Sequence, residues 1–486
     1  MSGRPPVSGP LDEQPGRRPA EQPGEGSGER SSGPPGERSG ERSGEPLGAR
    51  SGGPLGERFG ERAGERPDGR PPGARTESKP LFAVERRAGR AVQRVTATAL
   101  GPYQSAVVRI GFAGTWLLFL LWELPNRREL YGPDGPWSWD MAQQLIARNG
   151  AFTGLMWSDS TVWFEIVFAV AMLSSALLLV GWRTRTMSVL FMFGVLSLQN
   201  RSIFMGDGGD NVIHLMAIYL VLTRCGQVWS LDARRAARTA ARRGAGHEPG
   251  AQGARDRVGP LLWGCLGVFL IIGTVTDRVQ GAPWLPVLFW GVWIAQALWW
   301  AANLYAPNGQ PRALLNVLAN LVHNAALVVI MAEVCLVYAT AGWYKIQGSR
   351  WQDGTALYYP LKLHYFAPWP ELSGLLTSSG VIVMLLTYGT VAVQVAFPFA
   401  LLNRRLKNVL LVAMMLEHAG IAVLLGLPFF SLAMIAADAV FLPTGFLRRL
   451  GGEAAGLWHR LFTQDRKRLP EQRRDSPEQP ARTLVG

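Results

Sequence analysis

Long apolar segments with few charges fill the sequence between about residues 106 and 446. Many of them approach the ~20 residues that an α-helix needs to cross the hydrocarbon core of a bilayer. Because lipid cannot satisfy backbone polar groups, such runs predict helices whose hydrogen bonds are internal. The sequence therefore predicts an all-α membrane protein, a polytopic bundle of about ten transmembrane helices. The candidate spans lie near 106–125, 161–181, 186–204, 210–226, 260–276, 283–304, 314–344, 378–402, 407–425 and 428–446.

The basic charge of the chain predicts its orientation. Lys and Arg number 49 against 36 Asp and Glu, for a net charge of +13. In a membrane protein this excess marks cytoplasmic loops and attracts anionic lipid, and it does not indicate nucleic-acid binding. Arginines are dense before the first span, in 232–257 and after the last span, whereas the 345–377 loop falls on the other side. We predict a multi-pass plasma-membrane protein with both termini cytoplasmic, the lipid bilayer as its partner and no nucleic acid.

Two polar tails flank the apolar region. Residues 1–85 repeat Gly-Glu-Arg among Gly, Pro and Ser, and they contain too few apolar side chains to offset chain entropy. We predict a disordered cytoplasmic tail that is either simply solvated or tethers a partner. The transmembrane domain covers 100–446 and contains an Arg-rich cytoplasmic linker at 232–257, and residues 450–486 form a polar C-terminal tail. The three cysteines follow no metal-ligand spacing and are predicted to be small buried residues.

A polar stripe marks the predicted helix at 314–344. Asn320, Asn324, Tyr338 and Lys345 fall within about 60° of one another at about 100° per residue. Polar side chains in membrane helices face the bundle interior, so the asparagines either join helices by hydrogen bonds or serve a site. Lys345 lies at the outer end of the helix, where withdrawal from water favours a neutral amine that can act as a base. The alternative is that it snorkels to the interface.

Two further groups of polar residues could carry chemistry. Glu417 and His418 lie deep in an apolar span, and adjacent helical residues point about 100° apart. We therefore predict His418 at the site and Glu417 paired with another helix. Asp207-Gly208-Gly209-Asp210 could bind a cation or headgroup, or could form a tight turn and N-cap, with Arg201 as its charge partner.

Four segments together resemble a known family of membrane proteins. They are Gly206-Asp207-Gly208-Gly209-Asp210, Trp229-Ser230-Leu231-Asp232, the Ala341-Gly342-Trp343-Tyr344-Lys345 run followed by Trp351-Gln352-Asp353-Gly354, and His418 ahead of Gly426-Leu427-Pro428-Phe429-Phe430-Ser431. The third matches an Ala-Gly-x-x-Lys and Trp-x-x-Gly signature. The chain resembles the HTTM (horizontally transferred transmembrane domain) family over about 106–446. That family is related to the membrane region of vitamin K-dependent γ-carboxylase and to sporulation-delaying-peptide maturation proteins.

The resemblance implies a chemistry for these residues. In the carboxylase, the lysine of this motif is the base that deprotonates reduced vitamin K, after which glutamate loses a proton and CO2 adds. By resemblance Lys345 takes the base position, and His418 and Tyr338 join it as catalytic residues. Asn320, Asn324 and Trp351 are predicted to bind the cofactor, a membrane quinone, and no metal site is predicted.

Two hypotheses of function follow. The first is a carboxylase-like enzyme that uses a membrane quinone, with a peptide or the quinone itself as substrate. The second is a non-catalytic accessory protein for maturation, export or immunity of a secreted peptide. A transporter has less support because the sequence shows no inverted repeat or paired broken helices.

Overall fold

The computed structural model describes residues 79–202, 204, 206–244, 257–279 and 283–463. The chain divides into two units, Met1–Arg75 and Thr76–Gly486, and every described residue belongs to the second. These residues form α-helices and short 3-10 helices and contain no strand. The α-helices are α1 (Lys79–Ala97), α2 (Pro102–Glu123), α3 (Arg127–Tyr131), α4 (Trp139–Asn149), α5 (Thr161–Val180), α6 (Thr184–Gln199), α7 (Gly208–Leu222), α8 (Leu231–Gly244), α9 (Val258–Val275), α10 (Trp284–Tyr305), α11 (Gln310–Gln347), α12 (Ser349–Gln352), α13 (Tyr358–Lys362), α14 (Pro370–Thr377), α15 (Gly380–Ala400), α16 (Arg404–Leu424), α17 (Pro428–Asp438) and α18 (Thr444–Thr463).

Seven helices in the described part of the chain are long and apolar enough to cross a membrane, or up to eight if one bent pair counts as a span. The all-helical membrane architecture agrees with the sequence, but the predicted count of about ten is not confirmed. The seven begin at Pro102, Thr161, Val258, Trp284, Gln310, Gly380 and Arg404.

The count differs first at α6 and α7. They contain 16 and 15 residues, or roughly 24 and 22 Å, which is shorter than the ~30 Å hydrocarbon core. Most of α6 is buried against α5 and α7. Its apolar run is therefore that of a core helix, which hydropathy alone does not distinguish from a span.

The second difference is a break between α17 and α18. The two helices meet at an angle of 117°. Pro443 follows Leu442, whose ψ of 138° is extended, as expected for a residue before proline. The span predicted at 428–446 is therefore divided between α17 and the first residues of α18.

The predicted bounds of the two tails and of the linker also differ from the helix bounds in the structure. Helix α1 begins at Lys79, inside the predicted tail at 1–85, and α18 continues to Thr463, inside the predicted tail at 450–486. Helix α8 occupies much of the predicted linker at 232–257. The Gly-Glu-Arg repeats lie outside the described residues, so their predicted disorder stays a prediction.

Arg109 of α2 joins three parts of the bundle. Its side chain is fully buried. It donates to the carbonyls of Leu178, Leu179 at 2.8 Å, Cys225 at 3.2 Å and Trp229 at 2.8 Å. Arginine has five donors and no acceptor, so it can satisfy several carbonyls at helix ends that lack partners within their helices. Arg109 thus ties α2 to the C-terminal end of α5 and to the segment between α7 and α8.

Helix α11 is the longest element of the described chain. Its 38 residues extend about 57 Å, nearly twice the hydrocarbon thickness. It packs against α1 and α7 and also against α15. Aromatic side chains are exposed around its C-terminal end, among them Trp343 and Tyr344 on the helix and Tyr365 and Trp369 in the following loop. Such a belt is typical of a membrane–water interface.

Candidate functional site

Buried polar side chains from α11, α15, α16 and α17 form two adjoining hydrogen-bonded networks. The first contains Lys345, Gln394 and Glu417, and the second contains Tyr338, His418 and Asp438. Glu417 and His418 are neighbours on α16, so one helix contributes to both networks. Burying this much polarity is costly unless the groups pair, which makes the cluster the first candidate for a functional site.

In the first network an amide links the lysine to the carboxylate. Lys345 Nζ donates to Gln394 Oε1 at 2.8 Å, and Gln394 Nε2 donates to Glu417 Oε1 at 2.6 Å. Only this orientation of the amide pairs its oxygen with the amine and its nitrogen with the carboxylate. Gln394 is buried, while Lys345 and Glu417 are half-buried. The partner that the sequence predicted for Glu417 on another helix is therefore Gln394 of α15.

Gly342 lets α11 and α15 approach closely enough for this network to form. A Cβ on Gly342 would lie 2.7 Å from Val395 Cγ2, next to Gln394 on α15. Small residues permit such close approach between membrane helices. Gly342 therefore permits the close packing of α11 against α15.

The second network leaves two acceptors without donors. The Tyr338 hydroxyl donates to Asp438 Oδ2 at 3.1 Å and lies 3.0 Å from His418 Nε2. Because its one proton goes to Asp438, Nε2–H of His418 donates to the phenolic oxygen, and the neutral ring keeps Nδ1 as an acceptor. Among the described residues nothing donates to His418 Nδ1 or to Asp438 Oδ1. All three side chains are at most 2% exposed, so these atoms have no ready access to water.

The loop after α11 holds an aromatic ring beside the lysine. The Trp351 ring centroid lies 5.3 Å from Lys345 Nζ. Gln352 Nε2 donates to the Ile346 carbonyl at 2.9 Å, and the Tyr388 hydroxyl donates to the Gln352 carbonyl at 2.8 Å. The loop is thereby fastened both to the C-terminal end of α11 and to α15.

Asp353 stabilises the next turn of this loop. Its Oδ1 accepts from the Thr355 hydroxyl at 2.5 Å and from the Thr355 N–H at 3.0 Å. These hydrogen bonds hold the pKa of Asp353 below its usual range. The segment Trp351-Gln352-Asp353-Gly354 thus folds as one compact turn.

We expect Gly354→Ala to disrupt this turn. Gly354 has a φ of +75°, and a Cβ there would lie 3.0 Å from Met384 Cγ and 3.3 Å from the Tyr388 ring. Alanine at a positive φ destabilises by more than about 1 kcal/mol, so the melting temperature in detergent should fall. Gly374→Ala in α14 is the matched control, because a Cβ there meets nothing within 4 Å. Equal melting temperatures for the two variants would contradict the assignment.

The predicted asparagines lie elsewhere on α11. Asn324 is 14 residues from Tyr338, or roughly 21 Å along the axis. Its Oδ1 accepts from the Leu100 N–H, and its Nδ2 donates to the Val95 and Thr98 carbonyls. Asn320 accepts from Arg224 Nη1 at 2.6 Å and donates to the Thr96 carbonyl. The amides hold the α1–α2 connection, and the structure does not bring them together with Lys345, His418, Tyr338 or Trp351.

The Asp207 cluster forms a helix cap. Asp207 Oδ1 accepts from the Gly209 and Asp210 N–H groups, and Asp210 Oδ2 accepts from the Asp207 N–H. This reciprocal pair is a capping box at the start of α7. Arg201 was predicted to pair with these acids, but it donates to the Gly132 and Trp137 carbonyls instead.

Sequence reasoning missed Gln394, and it did not place Asp438 among the site residues. Each is a single polar residue in an apolar helix, a signal that marks both as candidates. Their partners come from helices distant in sequence, so the signal could not say which network each would join.

Two cavities in the described structure are lined by none of the side chains of the cluster. One of 450 Å³ lies among α5, α6, α9 and α10, and one of 90 Å³ lies beside Asp207 and Phe430. Lys345, Tyr338 and His418 line neither. We place the candidate chemistry at the cluster, because the wall of the larger cavity carries no carboxylate or imidazole.

The chain is a multi-pass helical membrane protein with a buried polar cluster near one end of its longest helix. No known protein family, curated protein or solved structure matches it. The resemblance to the HTTM family therefore rests on the sequence segments alone.

Proposed function

We propose that this chain is an HTTM-type enzyme of the plasma membrane that uses a membrane quinone, with Lys345 as its base. The observation that carries the proposal is the contact set of Lys345, whose amine bonds to Gln394 and faces the Trp351 ring. Both termini are cytoplasmic in this proposal, and Lys345 lies at the extracytoplasmic end of α11.

The residues of the cluster fit a hydroquinone chemically. A hydroquinone carries two hydroxyl donors, and His418 Nδ1 and Asp438 Oδ1 are buried acceptors that lack donors. Trp351 offers an aromatic face beside the amine. When bound, the hydroquinone would supply an acidic hydroxyl and the reducing equivalents for the reaction.

The side chains of the first network support a base at Lys345. One N–H of the neutral amine donates to Gln394 Oε1, and the lone pair on the nitrogen is left to accept a proton from a hydroxyl. Once protonated, the ammonium is stabilised by Gln394 directly and by the charge of Glu417 through the amide. Gln394 and Glu417 are positioning residues in this scheme, because neither needs to touch the substrate.

Mass spectrometry of lipid extracts tests the proposal. We expect the detergent-purified full chain to retain a quinone at near one per chain, and Lys345→Ala to lower that occupancy. Lys362→Ala is the matched control, because Lys362 is an exposed lysine of the neighbouring loop. No quinone on any folded protein would overturn the proposal and favour the accessory role in maturing, exporting or giving immunity to a secreted peptide.

A further inference from the structure

The cavity among α5, α6, α9 and α10 is separate from the polar cluster. Its volume is 450 Å³, within the roughly 300–1,000 Å³ typical of ligand sites. On α9 its lining residues run from Gly259 to Leu270, about 16 Å along the helix. Its wall is almost entirely apolar and rich in aromatic rings, including Trp157, Phe193 and Phe269. The dimensions suit a single hydrocarbon chain.

Polar groups line only one end of this cavity. Arg183, Arg185 and Thr186 come from the start of α6, and Gln296 comes from α10. The Arg185 guanidinium lies 4.3 Å from the Trp299 ring centroid, and the Arg224 guanidinium lies 5.7 Å from the same ring. The cavity is therefore amphipathic along its length, with positive charge at the mouth and rings at the far end.

Arg185 has no anionic partner in the described part of the chain. No described carboxylate forms an ion pair with it, and no described oxygen accepts from its guanidinium. The nearby Asp232 is already used, because its oxygens accept from the Arg183 and Thr184 N–H groups and from the Thr184 hydroxyl. Two arginines around one indole, without a carboxylate between them, form a site for an oxyanion.

We propose that this cavity binds an anionic phospholipid, with one acyl chain inside it and the phosphate at Arg185. Charge complementarity identifies an anionic head group, because the cation of a zwitterionic head group would lie beside the arginines and be repelled by them. Few residues of α9 and α10 are buried, so these two helices face the lipid. A phospholipid can therefore reach the cavity from the bilayer.

The α9–α10 hairpin is built to form one wall of such a site. Trp263 and Trp293 stack at 4.3 Å, and each indole N–H donates to the backbone carbonyl of the other. This pairing satisfies both indoles within the hairpin. The hairpin contacts the rest of the bundle at the far end, where Trp157 Nε1 donates to the Arg278 carbonyl at 3.0 Å.

Native mass spectrometry of the full chain in neutral detergent tests the proposal. The probes are phosphatidylglycerol and phosphatidylcholine with identical oleoyl chains. We expect one phosphatidylglycerol to bind about tenfold more tightly than phosphatidylcholine, because the choline cation places a like charge beside the arginines. Arg185→Gln should remove this preference, while Arg405→Gln, an exposed arginine at the start of α16, should retain it. Leu266→Trp, which fills the cavity, should weaken both lipids.

Three results would overturn the proposal. One is an unchanged phosphatidylglycerol preference in Arg185→Gln. Another is full binding of both lipids in a folded Leu266→Trp. The third is a neutral quinone that competes with phosphatidylglycerol on the wild type and is insensitive to Arg185→Gln. Because Lys345 does not line this cavity, the result is independent of the proposed enzyme function.

Discussion

Arg109→Ala is expected to destabilise the protein by about 4 kcal/mol or more, because it leaves several buried carbonyls without their donor. Arg109 bonds the carbonyls of Leu178, Leu179, Cys225 and Trp229. Its loss would release the end of α5 and the α7–α8 connection from α2 together. The measurement is the melting temperature of the detergent-purified protein, with its monodisperse fraction in gel filtration.

Two further variants separate this role from charge alone. Arg109→Lys keeps the charge but has fewer donors in a different geometry, so it should fall between alanine and wild type. Arg448→Ala removes an exposed arginine whose contact is the Tyr103 ring, and it should change the melting temperature little. A similar melting temperature for Arg109→Ala and Arg448→Ala would refute the assigned role.

Lys345→Arg is expected to lower turnover by about 10²- to 10⁴-fold, the range that a general base contributes. Arginine keeps a positive charge and hydrogen-bond donors near Gln394, but it cannot give up its proton in a protein. The variant therefore removes a base while retaining an interfacial anchor. The measurement is protein-dependent consumption of a reduced naphthoquinone in detergent or nanodiscs, with Lys345→Met giving a comparable loss.

The control for this prediction is Lys362→Arg, which changes an exposed lysine in the neighbouring loop and should retain full turnover. Wild-type turnover in Lys345→Arg would assign Lys345 to anchoring at the interface. Wild-type quinone content in that variant, with turnover lost, would separate the chemical step from binding.

The sequence predicts helix bounds best for helices that are long and apolar enough to span the membrane in one segment. The span predicted at 161–181 is α5 (Thr161–Val180), and the span predicted at 378–402 is α15 (Gly380–Ala400). The spans predicted at α6 and α7 are not confirmed, because these helices are short and a buried core helix can have the same hydropathy as a lipid-facing one. The break at Pro443 was visible as a proline, but its angle depends on how α18 packs against α2.

The sequence likewise predicted some residues of the candidate site and missed others. Periodicity alone placed Tyr338 and Lys345 on one face of α11, and both join the polar cluster. It placed Asn320 and Asn324 on that face too, but a shared face says nothing about separation along the helix. Arg109 went unnoticed because its partners lie 69 to 120 residues away in sequence. Arg109 lies three residues after the start of the span predicted at 106–125. In that position it resembles the charged residues that commonly mark the end of a transmembrane segment.

The length of α11 has a consequence for hydrophobic mismatch. A bilayer that thickens or thins must be matched by tilting, or by sliding one end of the helix relative to the lipid. The exposed aromatic belt around Trp343 and Tyr344 resists movement at its own end, because such rings prefer the head-group layer. The part of the 38-residue helix that exceeds the bilayer thickness lies toward Gln310. That end therefore shifts relative to the lipid when the bilayer thickness changes. The depth of Lys345 below the membrane surface is thereby kept constant across membranes of different thickness.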